Sequence, residues 1–262
     1  MDRPAVTAAA PPLVYLHGLP GTSAELALFE NIPPRVFAPD LRDGPLIDQV
    51  TTRFGDQPIC LWAFSLGAFR ALRFAAQWPE RVTHLHLIAP APPLDLGDFL
   101  GAMAGGPIFR LASTRPKAFR AITRIQSLAA RWAPDMVARM MFASAQGADR
   151  ILAGSARFRR LWAAQARDAL SQGAPAYCAE ISAYVAPWGA LLSKIQTAVS
   201  LYYGVQDSWV PADAVLTLAR ALPAPPKLNR FEQAGHYTTL EAALAMLRSS
   251  NQTSLGDQSA FS

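Results

Sequence analysis

Apolar and polar positions alternate in two regimes along the chain. Over the first 90 residues, short apolar runs recur at Leu13–Leu16 (LVYL), Val36–Pro39 (VFAP), Ile59–Phe64 (ICLWAF) and Val82–Ala89 (VTHLHLIA). Each is short and rich in β-formers, and longer mixed stretches separate them. That spacing predicts βαβ units in a buried, mostly parallel sheet. After Ser65, the residues Leu66, Phe69, Leu72, Ala75 and Trp78 recur at helical spacing until Pro79 stops the run.

From APAPPLD (Ala89–Asp95) the pattern changes. Strand signals become sparse and amphipathic helices take over. Phe119, Ile122, Ile125, Leu128 and Trp132 read as one apolar stripe; Ile151, Ser155, Phe158, Leu161, Trp162 and Gln165 read as a second, with arginines opposite. Alternation resumes with AVSLYYG (Ala198–Gly204), a helix from about Pro211 to Leu222, the strand-like KLNRFE (Lys227–Glu232) and a helix after His236. The expected organisation is a doubly wound core, residues 1–94 and 195–248, interrupted by a helical insertion over 95–194. The polar stretch 249–262 is expected to be a disordered tail.

Composition narrows the class. With 51% apolar and 16% charged residues, the chain builds a large core. Two cysteines, Cys60 and Cys178, make no disulfide framework, and a reduced cytoplasmic setting follows. The N-terminal MDRPAVTAAAPP lacks a continuous apolar segment of the secretory kind. No apolar run approaches the ~20 residues of a spanning helix. The net charge of +5 is uneven, since 95–194 holds 13 Lys/Arg against 6 Asp/Glu while the remainder holds 11 against 13. The positive charge belongs to the insertion. Nucleic acid is not the expected partner, because no basic stretch interleaves with stacking aromatics.

Chemistry concentrates where strands end. AFSLG places Ser65 between an apolar strand and a helix, close to the G-x-S-x-G nucleophile elbow, with Ala63 in place of the first glycine. Of the four histidines, His84 and His86 share one face of a strand-like run and read as structural. His17, in HGLPG, reads as ordering its loop. His236, in AGHY, falls after the last strand run, at the sheet edge where the carboxyl ends of strands gather. Asp207, in GVQDSWVP, follows the preceding strand at the same edge, and alone it reads equally well as a turn-forming residue. Serine, aspartate and histidine in that order suit a nucleophile, an orienting acid and a general base. Backbone N–H groups of Leu19 and Leu66 are the expected oxyanion donors. Neither the histidines nor the cysteines have metal-ligand spacing, so no metal or cofactor is implied.

Together, HGLPG, AFSLG, GVQDSWVP and AGHY resemble the oxyanion, nucleophile, acid and histidine loops of the α/β-hydrolase superfamily. Within it, the small-cap carboxylesterases are most similar. The resemblance implies a helical cap over 95–194 and hydrolysis of a carboxylic ester or thioester through an acyl-enzyme. It also implies an acidic acyl carrier protein as a partner for a basic cap; arginines that merely solvate amphipathic helices are the plainer reading. Relatives with such a cap use the same triad for elimination or carbon–carbon bond hydrolysis, and the fold also serves as a non-catalytic ligand scaffold. Trp132, Phe142, Phe158 and Trp162 are candidates to line an acyl pocket, although packing of cap on core uses the same residues. The chain departs from the family at Ala63, in DLRDGPL (Asp40–Leu46), and in the dozen residues before LVYLHG, which leave room for a shortened sheet of about six strands.

Overall fold

In the computed structural model, residues 10–30, 32, 35–172 and 174–259 are described, with side chains as far as 249. Six strands form one parallel sheet: β1 (Leu13–Leu16), β2 (Val36–Phe37), β3 (Ile59–Phe64), β4 (Val82–Ile88), β5 (Val199–Gly204) and β6 (Lys227–Phe231). Their spatial order is β2-β1-β3-β4-β5-β6. The strand count and parallel pairing agree with the expectation from the apolar runs. All six residues of β3 and of β5 are buried, as central strands covered on both faces must be.

Alternation along the strands builds two cores. Val14, Leu16, Leu61, Ala63, Leu85, Leu87 and Leu201 pack on one face with α1 (Leu46–Phe54), α2 (Gly67–Gln77) and α9 (Ala212–Ala221). Tyr15, Trp62, Phe64, Ile88 and Tyr202 pack on the other with α10 (His236–Ser259), through Tyr237, Leu240, Ala243 and Leu244. Burying one side chain of leucine size contributes about 2 kcal/mol, so each face is stabilised by many such terms. On the second face His84 and His86 are structural: their rings bond Ser200 Oγ and Tyr202 Oη at 2.9 Å each. Cys60 and Cys178 are both free thiols.

Between β4 and β5 lie α3 (Gly106–Thr114), α4 (Pro116–Trp132), α5 (Pro134–Met141), α6 (Gly147–Gly154), α7 (Ala156–Arg167) and α8 (Ala174–Tyr184). Pro116 and Pro134 each open a helix, where the missing N–H is not needed. Phe109, Phe119, Tyr177 and Ile181 join the first core, whereas Ala138, Phe142, Phe158 and Trp162 join the second.

One expectation is corrected. The stripe from Phe119 to Trp132 does not share one face. Phe119 is fully buried, yet Ile125, Leu128 and Trp132 are 65%, 59% and 77% exposed. Successive steps of three residues drift by about 60° each at ~100° per residue, so the far end of the row turns away from the near end. The buried face of α4 carries Phe119, Thr123 and Ala130 instead. The backbone of α10 is helical to Ser259, and residues 260–262 of the expected tail lie outside the described residues.

Candidate active site

Ser65 stands on the turn from β3 to α2 with φ of 53°, in the left-handed region. A non-glycine residue held there costs about 1–3 kcal/mol and persists only where its surroundings fix it. They do so here. Its N–H donates to Ile88 O at 2.9 Å, and its carbonyl accepts from Ala68 N and Ala91 N at 3.1 Å each. Gly67 makes the turn possible, since a Cβ at that position would lie 2.2 Å from the Leu16 carbonyl oxygen. Ala63, which departs from the elbow glycine, is fully buried in β3 without disturbing its pairing to Leu16 and Leu87.

The HGLPG loop runs past this elbow. A Cβ on Gly18 would lie 3.2 Å from Ser65 Cβ. The Gly18 N–H donates to Glu25 Oε2 at 2.9 Å, and the Gly18 carbonyl takes a bond of 2.8 Å from His17 Nδ1. Burial and the neighbouring Arg70 hold the His17 pKa down to about 3, so the ring is neutral and serves the loop as a donor. Among the described residues, neither the Leu19 N–H nor the Leu66 N–H donates to a protein acceptor. Both residues line the same cavity as Ser65.

The acid and histidine loops are locked together. Gly204 ends β5 where a Cβ would lie 2.2 Å from Ala234 O, and Gln206 N donates to that same carbonyl at 3.0 Å. Asp207 forms the turn and also contacts the imidazole. Its Oδ1 accepts from Trp209 N at 2.7 Å and Val210 N at 2.9 Å, forming the turn, while Oδ2 lies 2.7 Å from His236 Nδ1. A carboxylate can only accept, so Nδ1 is the donor in this bond, and in the neutral ring the lone pair is then on Nε2. His236 is 2% exposed. Its ring lies 4.6 Å from that of Phe64, the residue preceding Ser65, and stacks on Trp209 at 5.5 Å and 9°.

A cavity of about 90 Å³ opens at this corner, walled by Ser65, Leu66, Leu19, Phe109, Ile181 and Trp209 among others. At ~15 Å³ per water-sized probe it holds a group only several heavy atoms long. Its lining is overwhelmingly apolar. The four aromatic side chains expected to line an acyl pocket lie elsewhere. Trp132 faces outward beneath the Arg131 guanidinium. Phe142, Phe158 and Trp162 pack around Tyr237 in the second core, with Trp162 Nε1 bonded to Tyr237 Oη at 2.7 Å. They hold inserted helices onto α10, which is the packing alternative weighed from sequence.

Three further charged residues reach the site. Glu25, wholly buried, joins Tyr15 Oη at 2.7 Å to Gly18 N; desolvation pushes its pKa up to about 7, against relief from Tyr15 and Gly18. Arg70 donates to His17 O and faces Glu180 of α8 at 3.4 Å, a charge contact rather than a well-directed hydrogen bond. Asp149 of α6, 3% exposed, accepts the His236 N–H at 2.7 Å. The Thr22–Glu25 spacing has capping-box form, but the carboxyl group takes Tyr15 Oη and Gly18 N instead of closing a cap, so nothing local marks it out. Arg70 and Asp149 sit among many charged residues on helices, and nothing local marks them out.

The sequence matches the family model described as "alpha/beta hydrolase fold" over residues 46–243, well over half the chain. The chain belongs to the α/β-hydrolase fold family. No curated relative matches it. Among solved structures, this α/β hydrolase is similar to a thermophilic esterase from Thermogutta terrifontis, with 15% identity, TM-score 0.64, and 94% of this chain and 90% of that one covered. The esterase EaEST from Exiguobacterium antarcticum gives 16% identity and TM-score 0.57 over 92% and 91%. A thioesterase domain from the curacin biosynthetic pathway gives 18% and 0.57 over 93% and 91%. At these identities the likeness is one of fold. No helix among the described residues is long and apolar enough to cross a membrane.

Proposed function

We propose that this α/β hydrolase is a serine esterase that cleaves short-chain carboxylic esters or thioesters through an acyl-enzyme. One observation carries the reading: a strained Ser65 and two unoccupied backbone donors border an apolar cavity, at the edge where His236 is held by Asp207 at 2.7 Å. In the proposed reaction, Ser65 Oγ passes its proton to His236 Nε2 and attacks the substrate carbonyl carbon. The N–H groups of Leu19 and Leu66 receive the negative charge on the carbonyl oxygen. Collapse of the tetrahedral species breaks the acyl–oxygen or acyl–sulfur bond, and His236 returns the proton to the leaving group. Water, deprotonated by His236, then attacks the acyl carbon and releases the acid and the serine. Asp207 keeps the imidazole in the useful tautomer throughout.

The helices between β4 and β5 act in this reading as a cap. Phe109 on α3 and Ile181 on α8 wall the cavity, and such walls exclude water from a developing charge. The cavity volume supports short acyl groups over long ones. A carrier-bound acyl group is a compatible substrate, with Arg120, Arg124 and Arg131 exposed on α4. In that case turnover of an acyl-carrier ester exceeds that of the free ester, and the excess fades as salt screens the arginines.

The test is a p-nitrophenyl ester series from two to twelve acyl carbons, run on the wild-type chain and on Ser65→Ala. Butanoate and its neighbours are expected to be preferred, and Ser65→Ala is expected to lower kcat by about 10⁴-fold or more with the fold retained. Turnover in Ser65→Ala equal to wild type would remove the assignment.

A further inference from the structure

The first turn of α10 begins at His236, and the natural capping position before it is Gly235, which has no side chain. Helix N-termini leave several N–H groups without intrahelical partners. Here the partner comes from far along the chain. Asp149, on α6 of the inserted helices, puts its Oδ2 2.7 Å from His236 N and 3.1 Å from Tyr237 N. Its Oδ1 accepts from Thr238 N at 2.9 Å and from Thr238 Oγ1 at 2.7 Å. Thr238 Oγ1 in turn accepts from Gly235 N at 2.8 Å. The carboxylate occupies the space that a side chain at 235 would fill, since a Cβ there would lie 2.5 Å from Asp149 Cγ.

The same segment also touches the acid loop. Gly147, at φ of 50°, packs so closely on Gln206 that a Cβ would lie 1.6 Å from Gln206 Oε1. Gln206 immediately precedes Asp207. Residues 147–149 are therefore wedged against both loops that supply the acid and the base.

We propose that Asp149 is a positioning residue for the proposed reaction: by capping α10 across the chain, it sets the backbone from which the His236 imidazole projects, and makes that orientation depend on docking of the cap. The role rests on the reading of His236 as the base. A carboxylate at a helix N-terminus is doubly suited to it, because it accepts the orphan N–H groups and meets the positive end of the helix dipole. It does not touch the reacting atoms. Small displacements of a base are costly in rate, about 10²-fold for ~1 Å, so loss of the cap acts on kcat more than on substrate binding.

The experiment compares wild type, Asp149→Asn and Asp149→Ala, with His236→Ala and Ser65→Ala as references. Two readouts are taken on folded protein. The first is kcat and KM for p-nitrophenyl butanoate. The second is the low-field proton NMR signal of the His236 Nδ1–H bonded to Asp207, assigned by its loss in His236→Ala. Asp149→Ala is expected to lose or broaden that signal and to lower kcat by about 10- to 100-fold, with KM within about twofold. Asp149→Asn keeps one acceptor oxygen and is expected to fall between, and it decides the matter if the alanine variant fails to fold. A sharp, unshifted signal with kcat within about twofold of wild type, in either folded variant, overturns the proposal even if its melting temperature is lower. If the signal is lost but Ser65→Ala turns over ester as fast as wild type, Asp149 still orients the imidazole, but the esterase reading falls and the role in that reaction falls with it. If the signal and rate persist in the Asp149 variants while Ser65→Ala is inactive, the reverse holds.

Discussion

Glu25 gives the sharpest quantitative handle on the molecule. Its carboxyl group is buried beneath the HGLPG loop, and desolvation raises its pKa from the ordinary 4.5 to about 7. In the unfolded chain the proton leaves near 4.5, whereas the folded chain keeps it until about 7. Between those values the native state binds more protons than the unfolded state, so this group makes stability fall as pH rises. The contribution is fully present below pH 4.5 and is lost through about pH 7. A span of roughly 2.5 units at 1.36 kcal/mol per unit amounts to about 3 kcal/mol. Glu25→Gln keeps the shape and an acceptor for Gly18 N and Tyr15 Oη but cannot ionise. Stability relative to wild type should therefore swing toward the glutamine variant by about 3 kcal/mol between pH 4 and pH 8. Taking the difference matters, because His17 and His86, both lowered to about 3 by burial, bend the absolute curves the other way. Their stabilising contribution is present above pH 6.5 and is lost as pH falls toward 3, in both proteins alike. Urea unfolding at intervals of one pH unit on the two proteins measures the difference. A difference constant to within about 1 kcal/mol across that range would show that Glu25 titrates normally, and the desolvation argument would be wrong.

Two further outcomes follow from the site geometry. Gly67→Ala drives a methyl group into the Leu16 carbonyl, a backbone atom that cannot swing aside; a loss of about 3 kcal/mol or more by urea unfolding is expected, and wild-type stability would mean that the elbow is looser than described. Asp207→Asn retains an oxygen for the turn to Trp209 and Val210 but loses the charge facing His236; kcat on a butanoate ester should drop by about 10⁴-fold with little change in melting temperature, and a drop below tenfold would deny Asp207 its orienting part.

The strands were legible because each is a short apolar run closed by a turn, and a parallel sheet buries both faces of such runs. The elbow was legible for a related reason. A left-handed serine followed by a glycine with no room for a Cβ is a local demand, and local demands leave local residue choices. Asp207 and His236 could be found because chain order and strand ends confine them to one rim. The helices of the insertion were harder. Their amphipathicity names an apolar side without saying which neighbour covers it, and on α4 the row read from sequence turned out to wind from the core at Phe119 to solvent at Trp132. The pocket walls failed for the same cause. Phe142, Phe158 and Trp162 are as apolar as Phe109 and Ile181, and only the docking of α5 and α7 on α10 separates the two sets.

What sequence hides most thoroughly is a partnership across the chain between a common residue and a backbone group. Arg70 to the His17 carbonyl spans 53 positions, and Asp149 to the His236 N–H spans 87. Neither carbonyl nor N–H has a residue type, so no pairing of letters betrays them. Yet both contacts reach the loops that frame Ser65, and both involve the insertion, through Glu180 in one case and α6 in the other. Undocking the insertion would carry Asp149 into water and leave the first N–H groups of α10 without their acceptor. It follows that the insertion and the histidine loop should open as one unit, and hydrogen exchange at the His236, Tyr237 and Thr238 amides should track exchange in α6 rather than in β6.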